Sequence, residues 1–187
     1  MKTLFVLIFS LLLLESTAQK MYDWEEVKSA NSDTIFALSL SKMKLTELPT
    51  ELLRFNHLKK LDLSHNRLNF LPESLSDFRE LEILDISHNK FEIFPIPITR
   101  LFNLKTLKAS ANKLTYVPDL IASNSHLQKL DLFNNEIENL GKGIYELREL
   151  QLLDLSGTMY GTIFQKELKA KLSWVKIIMD PPCTCLD

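Results

Sequence analysis

The chain has 187 residues, enough for one domain with a sizeable buried core, and a formal net charge of −2 with charged residues at 25%. That balance excludes an overall basic field that would gather nucleic acid, and no acidic tail is present. Four glycines and seven prolines exclude a low-complexity chain.

Met1-Lys2 is a positive start, Leu4 to Leu14 is an apolar run, and Ser16-Thr17-Ala18 places small residues at the −3 and −1 positions. This is the pattern of a secretory signal peptide over residues 1–18, with cleavage after Ala18. The apolar run is well short of the roughly 20 residues that span a bilayer, so the mature chain is expected to be exported without a membrane span. Residues 19–34 then read as an N-terminal cap. Asp23-Trp24-Glu25-Glu26 is a D-x-x-E helix start, and Trp24, Val27 and Ala30 share one helical face, which predicts an amphipathic lid from Asp23 to Ala30.

From residue 35 the chain repeats itself. Leu58, Leu81, Leu104, Leu127 and Leu150 are each 23 residues apart, and the same string follows each of them: LKKLDLSHNRLNFLP over 58–72, LEILDISHNKFEIFP over 81–95, LKTLKASANKLTYVP over 104–118. A period in the twenties means one structural unit stacked on itself. Within the unit 58–80, Leu58, Leu61 and Leu63 alternate with polar residues, as in a short strand buried on one face, so Lys60 and Asp62 point outward. Asn66 is placed to satisfy backbone groups of neighbouring turns, Leu68, Leu71, Leu75 and Phe78 complete the inward set, and Pro72 sets the corner. Glu73 to Phe78 is too short for an isolated helix and predicts a turn or short helical piece.

These positions resemble the leucine-rich repeat family, in its 23-residue class L-x-x-L-x-L-x-x-N-x-L-x-x-L-P, over residues 35–158. The resemblance implies an α/β solenoid, a curved right-handed coil with a parallel sheet on its concave side, five full repeats and a partial one. Its departures mark places of irregular packing: Met43 and Thr158 in the Asn position, Tyr160 for a leucine, Ala109 for a large core residue, Asn124 where Phe78 and Leu101 stand, Gly141 for the corner proline, and Phe91 and Phe94 for leucines. Residues 159–187 read as a C-terminal cap. Phe164, Leu168 and Leu172 form a helical stripe within Phe164 to Ser173, and an edge strand follows from Val175 to Met179. Both caps resemble those of secreted bacterial members of the family. Cys183 and Cys185 are open to a local disulfide, a bond to another chain, or the reduced state.

No nucleophile elbow, zinc-binding H-E-x-x-H or phosphate-binding glycine loop occurs, so no enzyme activity, cofactor or metal is expected. His65 and His88 with Asp62 and Asp85 are the nearest approach to a metal set, outweighed by their being the repeat's own text written twice; His57 and His126 have no evident partner.

The outward strand positions form two columns on the concave face. One holds Ala37, Lys60, Ile83, Thr106, Lys129 and Leu152; the other holds Ser39, Asp62, Asp85, Lys108, Asp131 and Asp154. Phe133 breaks a column of serines at the face's edge. The candidate partner-binding residues are therefore Lys60, Asp62, Ile83, Asp85, Lys108, Lys129, Asp131, Phe133, Leu152 and Asp154. A second set, Phe70, Ile93 and Tyr116, forms an apolar ladder before the proline corner. A mixed surface of this kind suits a protein or peptide rather than nucleic acid. The expected function is a secreted, monomeric protein-interaction module. The alternatives are an adhesive or glycan-binding role, resting on Phe70 and Tyr116, and an intracellular scaffold if residues 1–18 are not a signal peptide.

Overall fold

A single 23-residue unit cannot satisfy its own apolar side chains. In the unit 58–80, Leu58, Leu61, Leu63, Leu68, Leu71, Leu75 and Phe78 are all buried, and only the units before and after can cover them. The computed structural model, which describes residues 20–183, shows that stacking. The signal-peptide reading of residues 1–18 lies outside the described residues.

Among the described residues ten strands occur in chain order: β1 Tyr22–Asp23, β2 Ala37–Ser39, β3 Lys60–Asp62, β4 Ile83–Asp85, β5 Thr106–Lys108, β6 Tyr116–Val117, β7 Lys129–Asp131, β8 Asn139–Leu140, β9 Leu152–Asp154 and β10 Lys176–Ile178. Eight of them form one sheet in the order β1-β2-β3-β4-β5-β7-β9-β10, while β6 and β8 pair separately. From β2 to β9 every main-sheet pairing is parallel and joins residues 23 apart, as in Lys60↔Ile83, Ile83↔Thr106 and Thr106↔Lys129. On the far side, short 3-10 turns at Thr50–Arg54, Glu73–Asp77, Ile96–Arg100, Asp119–Ser123 and Lys142–Glu146 return the chain. Short pieces of this kind suit the tighter 3-10 geometry. This is the α/β solenoid expected from the repeat.

The coils are tied by asparagines that reach backward. Asn66 Nδ2 donates to Leu63 O of its own coil at 2.9 Å and to Leu40 O of the preceding coil at 2.8 Å, while its Oδ1 accepts from Leu45 N at 3.0 Å. Asn89, Asn112 and Asn135 repeat the arrangement. The direction explains the first departure. The residue at Met43 has no earlier repeat to reach, so nothing is lost by its being apolar. At the other end Thr158 still reaches back, its Oγ1 donating to Asn135 O at 2.6 Å.

Two other departures are not irregular at all. Asn124 is fully buried, and its Nδ2 donates to Ile98 O at 3.0 Å and Leu101 O at 2.9 Å in the preceding coil. Both carbonyls already accept a backbone N–H, from Leu101 and Leu104, and Asn124 Oδ1 is buried without a partner. Leucine has the same number of side-chain heavy atoms. Asn124→Leu is therefore expected to raise stability by about 1 kcal/mol in urea unfolding, because removing a buried orphan acceptor outweighs losing a second donor to satisfied carbonyls. Gly141, expected to mark loose packing, sits at a close approach between coils, since a Cβ there would fall 2.5 Å from Asp119 N.

At the N-terminal end Val27 joins the core, Trp24 meets Phe55 edge-on at 6.2 Å, and Arg54 donates to Lys28 O at 2.9 Å and to Val27 O. The helix here, α1, spans only Trp24–Val27 rather than reaching Ala30. Asn31 then accepts from Asp33 N at 3.1 Å and caps a separate turn at Ser32–Thr34. At the C-terminal end α2 spans Thr162–Lys171, two residues earlier than the stripe suggested, with Gly161 as its N-cap. Leu168 and Leu172 are buried, Phe164 is half-buried and stacks on Tyr160 at 4.6 Å, and Gln165 Nε2 donates to Asp180 O at 3.0 Å. β10 is one residue shorter at each end than Val175 to Met179.

Candidate functional site

The strand pairings place the two outward columns as their spacing requires. Lys60 and Lys129 are exposed, and Ile83, Thr106 and Leu152 are half-buried, so this column offers apolar side chains framed by two cations. β10 extends both columns by one rung, with Lys176 beside Leu152 and Ile178 beside Asp154, a continuation that the repeat pattern had already lost. Ala37 is a correction: expected outward, it is 1% exposed. Its methyl is shorter than its register partner Lys60, and β1 closes on its other side.

The aspartate column has a structural duty that its spacing does not reveal. Asp62 Oδ1 accepts from Ser64 N at 2.9 Å, Asp85 Oδ1 from Ser87 N at 3.0 Å, Asp131 Oδ1 from Phe133 N at 3.0 Å and Asp154 Oδ1 from Ser156 N at 3.0 Å. Each closes the turn that ends its strand, as Asp side chains do when they bond two residues on. One oxygen per carboxylate is thus spent within the fold, which holds the other in a fixed orientation. Lys108 Nζ lies 3.5 Å from Asp85 Oδ2 and relieves the repulsion between neighbouring acids.

Beyond the aspartates the serines pair across coils, Ser41 with Ser64 and Ser87 with Ser110, both at 3.0 Å. Phe133 takes the next place in that column and is 46% exposed. His65 and His88 are exposed, sit in the left-handed region at φ 55°, and stack with centroids 4.1 Å apart and ring planes 9° from parallel. Parallel stacked rings direct their nitrogens into separate planes, which does not suit a shared metal ion, and no cluster of three or more ligand-type residues occurs among the described residues. His57 and His126 do have partners. Each faces a glutamate of the following coil, His57 Nδ1 at 2.8 Å from Glu80 Oε1 and His126 Nδ1 at 2.9 Å from Glu149 Oε1.

The apolar ladder is on a different side. Phe70, Ile93 and Tyr116 are 51%, 80% and 42% exposed. Tyr116 belongs to the separate β6–β8 pair, and Phe70 lines an apolar cleft of about 220 Å³ with Leu48, Pro49, Leu53 and Leu75. Among the described residues three groups have clearly displaced pKa values, and none lies on the outward columns. Glu26 is held low by its bond to Asp23 N and then by Lys20, Glu149 is held low by His126, and burial pushes the Tyr160 phenol up to about 12.

A stacked parallel sheet presenting a broad mixed face, with short helical turns behind it, defines a repeat solenoid. The chain belongs to the leucine-rich repeat family: profiles described as leucine rich repeat match residues 36–91 and 123–141. Over 72% of its length it is similar to a leucine-rich repeat protein of Leptospira interrogans, with 34% identity and a TM-score of 0.67, covering 34% of that chain. An internalin of Listeria monocytogenes shares the fold at 20% identity and a TM-score of 0.67, over 79% of this chain and 41% of that one. Internalin C2 of the same organism matches at 26% identity and a TM-score of 0.56, over 63% of this chain and 50% of that one. The chain thus spans about a third to a half of the length of these structures. No curated protein matches it.

Proposed function

We propose that the protein is an exported, non-enzymatic module that binds a protein or peptide partner on the outward face of its main sheet, as a monomer and without a cofactor. The observation that supports this most directly is the composition of that face. Half-buried Ile83 and Leu152 and exposed Phe133 stand among Lys60, Lys108 and Lys129, beside carboxylates already oriented by their own turns. Apolar anchors inside a charged frame are what a protein partner's hot spots require. Export is supported by the pattern of residues 1–18. In addition, no helix among the described residues is long and apolar enough to cross a membrane, and no cysteine among them is free.

The test is affinity capture of surface and secreted proteins with the protein as bait, comparing wild type, Lys129→Glu/Phe133→Ala and Phe70→Ala/Tyr116→Ala. Aspartate reversals suit this poorly, because Asp85 and Asp131 also close turns. A partner lost by at least tenfold in the Lys129/Phe133 variant, with an unchanged melting midpoint, is the expected result. Loss in the Phe70/Tyr116 variant alone would move the site off the sheet.

A further inference from the structure

One lateral edge of the solenoid, where the chain leaves the strands, carries a row of cations outside both outward columns. Lys44, Arg67, Lys90 and Lys113 occupy the same position in four successive coils, and all are exposed. Their rungs are held in register by backbone bonds: Arg67 N to Leu45 O at 2.8 Å, Lys90 N to Leu68 O at 2.8 Å and Lys113 N to Phe91 O at 2.9 Å. Adjacent strands are about 4.8 Å apart, so the row is about 14 Å long. Among the described residues none of these four cations makes an ion pair.

The opposite edge is built differently. There Lys105 and Glu82 join one coil to the next through opposite charges, and His57 and His126 each lie within hydrogen-bond distance of a glutamate of the following coil, Glu80 and Glu149. Like charges on neighbouring rungs oppose stacking. Internal stability therefore does not account for a row of four cations that the fold leaves unpaired.

Three residues further along each coil runs the ladder of Phe70, Ile93 and Tyr116. The two columns meet at one open depression of about 320 Å³, lined by Asn69, Lys90, Glu92 and Ile93. Both end in the same coil, where Glu136 and Asn139 take their places. The surface is a strip of fixed length, charged along one side and apolar along the other.

We propose that this edge docks an extended segment of a protein partner that alternates acidic and large apolar side chains. Its acids would lie on the Arg67–Lys90–Lys113 row and its apolar side chains on Phe70–Ile93–Tyr116. Charge complementarity selects the acids. Ile93, the most exposed of the ladder, selects the apolar half, since an aliphatic side chain offers no aromatic plane for a sugar or base to stack on. Glu92, lying between the row and the ladder, repels a continuous polyanion yet admits a chain whose charges face one side only. The surface is separate from the sheet face and does not depend on the reading given for it.

The test is fluorescence anisotropy with a labelled eight-residue peptide alternating glutamate and leucine, beside a lysine–leucine control, a heparin oligosaccharide and vesicles containing anionic lipid. The glutamate peptide is expected to bind and to weaken as salt is raised. Arg67→Glu/Lys90→Glu should weaken it at least tenfold and Ile93→Ser severalfold, while Lys129→Glu/Phe133→Ala leaves it unchanged. Arg67→Gln/Lys90→Gln removes the charge without reversing it and should weaken binding in the same direction, which covers any loss of folding in the reversal. No binding of the glutamate peptide, binding indifferent to both Arg67/Lys90 variants, or tighter binding of heparin or vesicles lost in those variants would each overturn the proposal.

Discussion

Asn112→Ala is expected to destabilise the protein by about 3 kcal/mol, read as a lower midpoint of urea unfolding. Asn112 is 8% exposed and sits in the middle of the solenoid. Its Nδ2 donates to Ala109 O at 3.1 Å and Ile86 O at 3.0 Å, and its Oδ1 accepts from Phe91 N at 3.1 Å. The carbonyls are shared along the ladder, Ile86 O with Asn89 and Ala109 O with Asn135, so each keeps one donor when Asn112 is cut back. Phe91 N loses its only acceptor, and that orphaned donor carries most of the cost. Asn112→Asp keeps the acceptor, loses the donor, and turns a carboxylate toward two carbonyls; it should be at least as damaging. An alanine variant indistinguishable from wild type would show that the ladder follows from coil stacking rather than holding it.

Gly143→Ala is expected to cost about 3 kcal/mol or more, or to prevent folding, measured by soluble yield and thermal midpoint. A Cβ at Gly143 would fall 1.9 Å from Asp119 O and 2.8 Å from Asp119 C, backbone atoms that no rotamer change can move aside. The equivalent positions in the other coils are Glu51, Ser74, Pro97 and Leu120, which carry ordinary side chains. The close approach therefore belongs to one junction only. There β6 pairs with β8, and Asp119 Oδ1 accepts from Lys142 N. Alanine would force these two coils apart on the far side and break that pairing. Glu51→Ala, at the same position one end away, should change stability by less than about 0.5 kcal/mol.

The two cases differ in how far they are visible in the amino-acid string. Asn112 belongs to a column that reads the same in four coils, and its role follows from having a copy above and below. Gly143 follows no column, and neither its neighbours in sequence nor its place in the repeat indicates that Asp119 O lies against it. Asn124 misled in the same way, looking like a gap in the core and turning out to bond back to the preceding coil.

The candidate surfaces divide similarly. Reading every twenty-third residue is enough to find Lys60, Ile83, Lys129 and Leu152 on one face, and the same arithmetic applied to Lys44 would have found the row of cations. Net charge concealed that row, because the acids balancing it lie elsewhere. Sequence period alone determined the solenoid, the direction of each strand side chain and the register of the sheet, because stacked identical units place equivalent residues side by side whatever they are. Only the tertiary structure decided which equivalent residues satisfy one another. Asp62 spends an oxygen on its own turn, His57 finds Glu80, and Arg67 finds no acid, because hydrogen bonds and ion pairs depend on distances of a few tenths of an ångström between coils that the repeat does not encode.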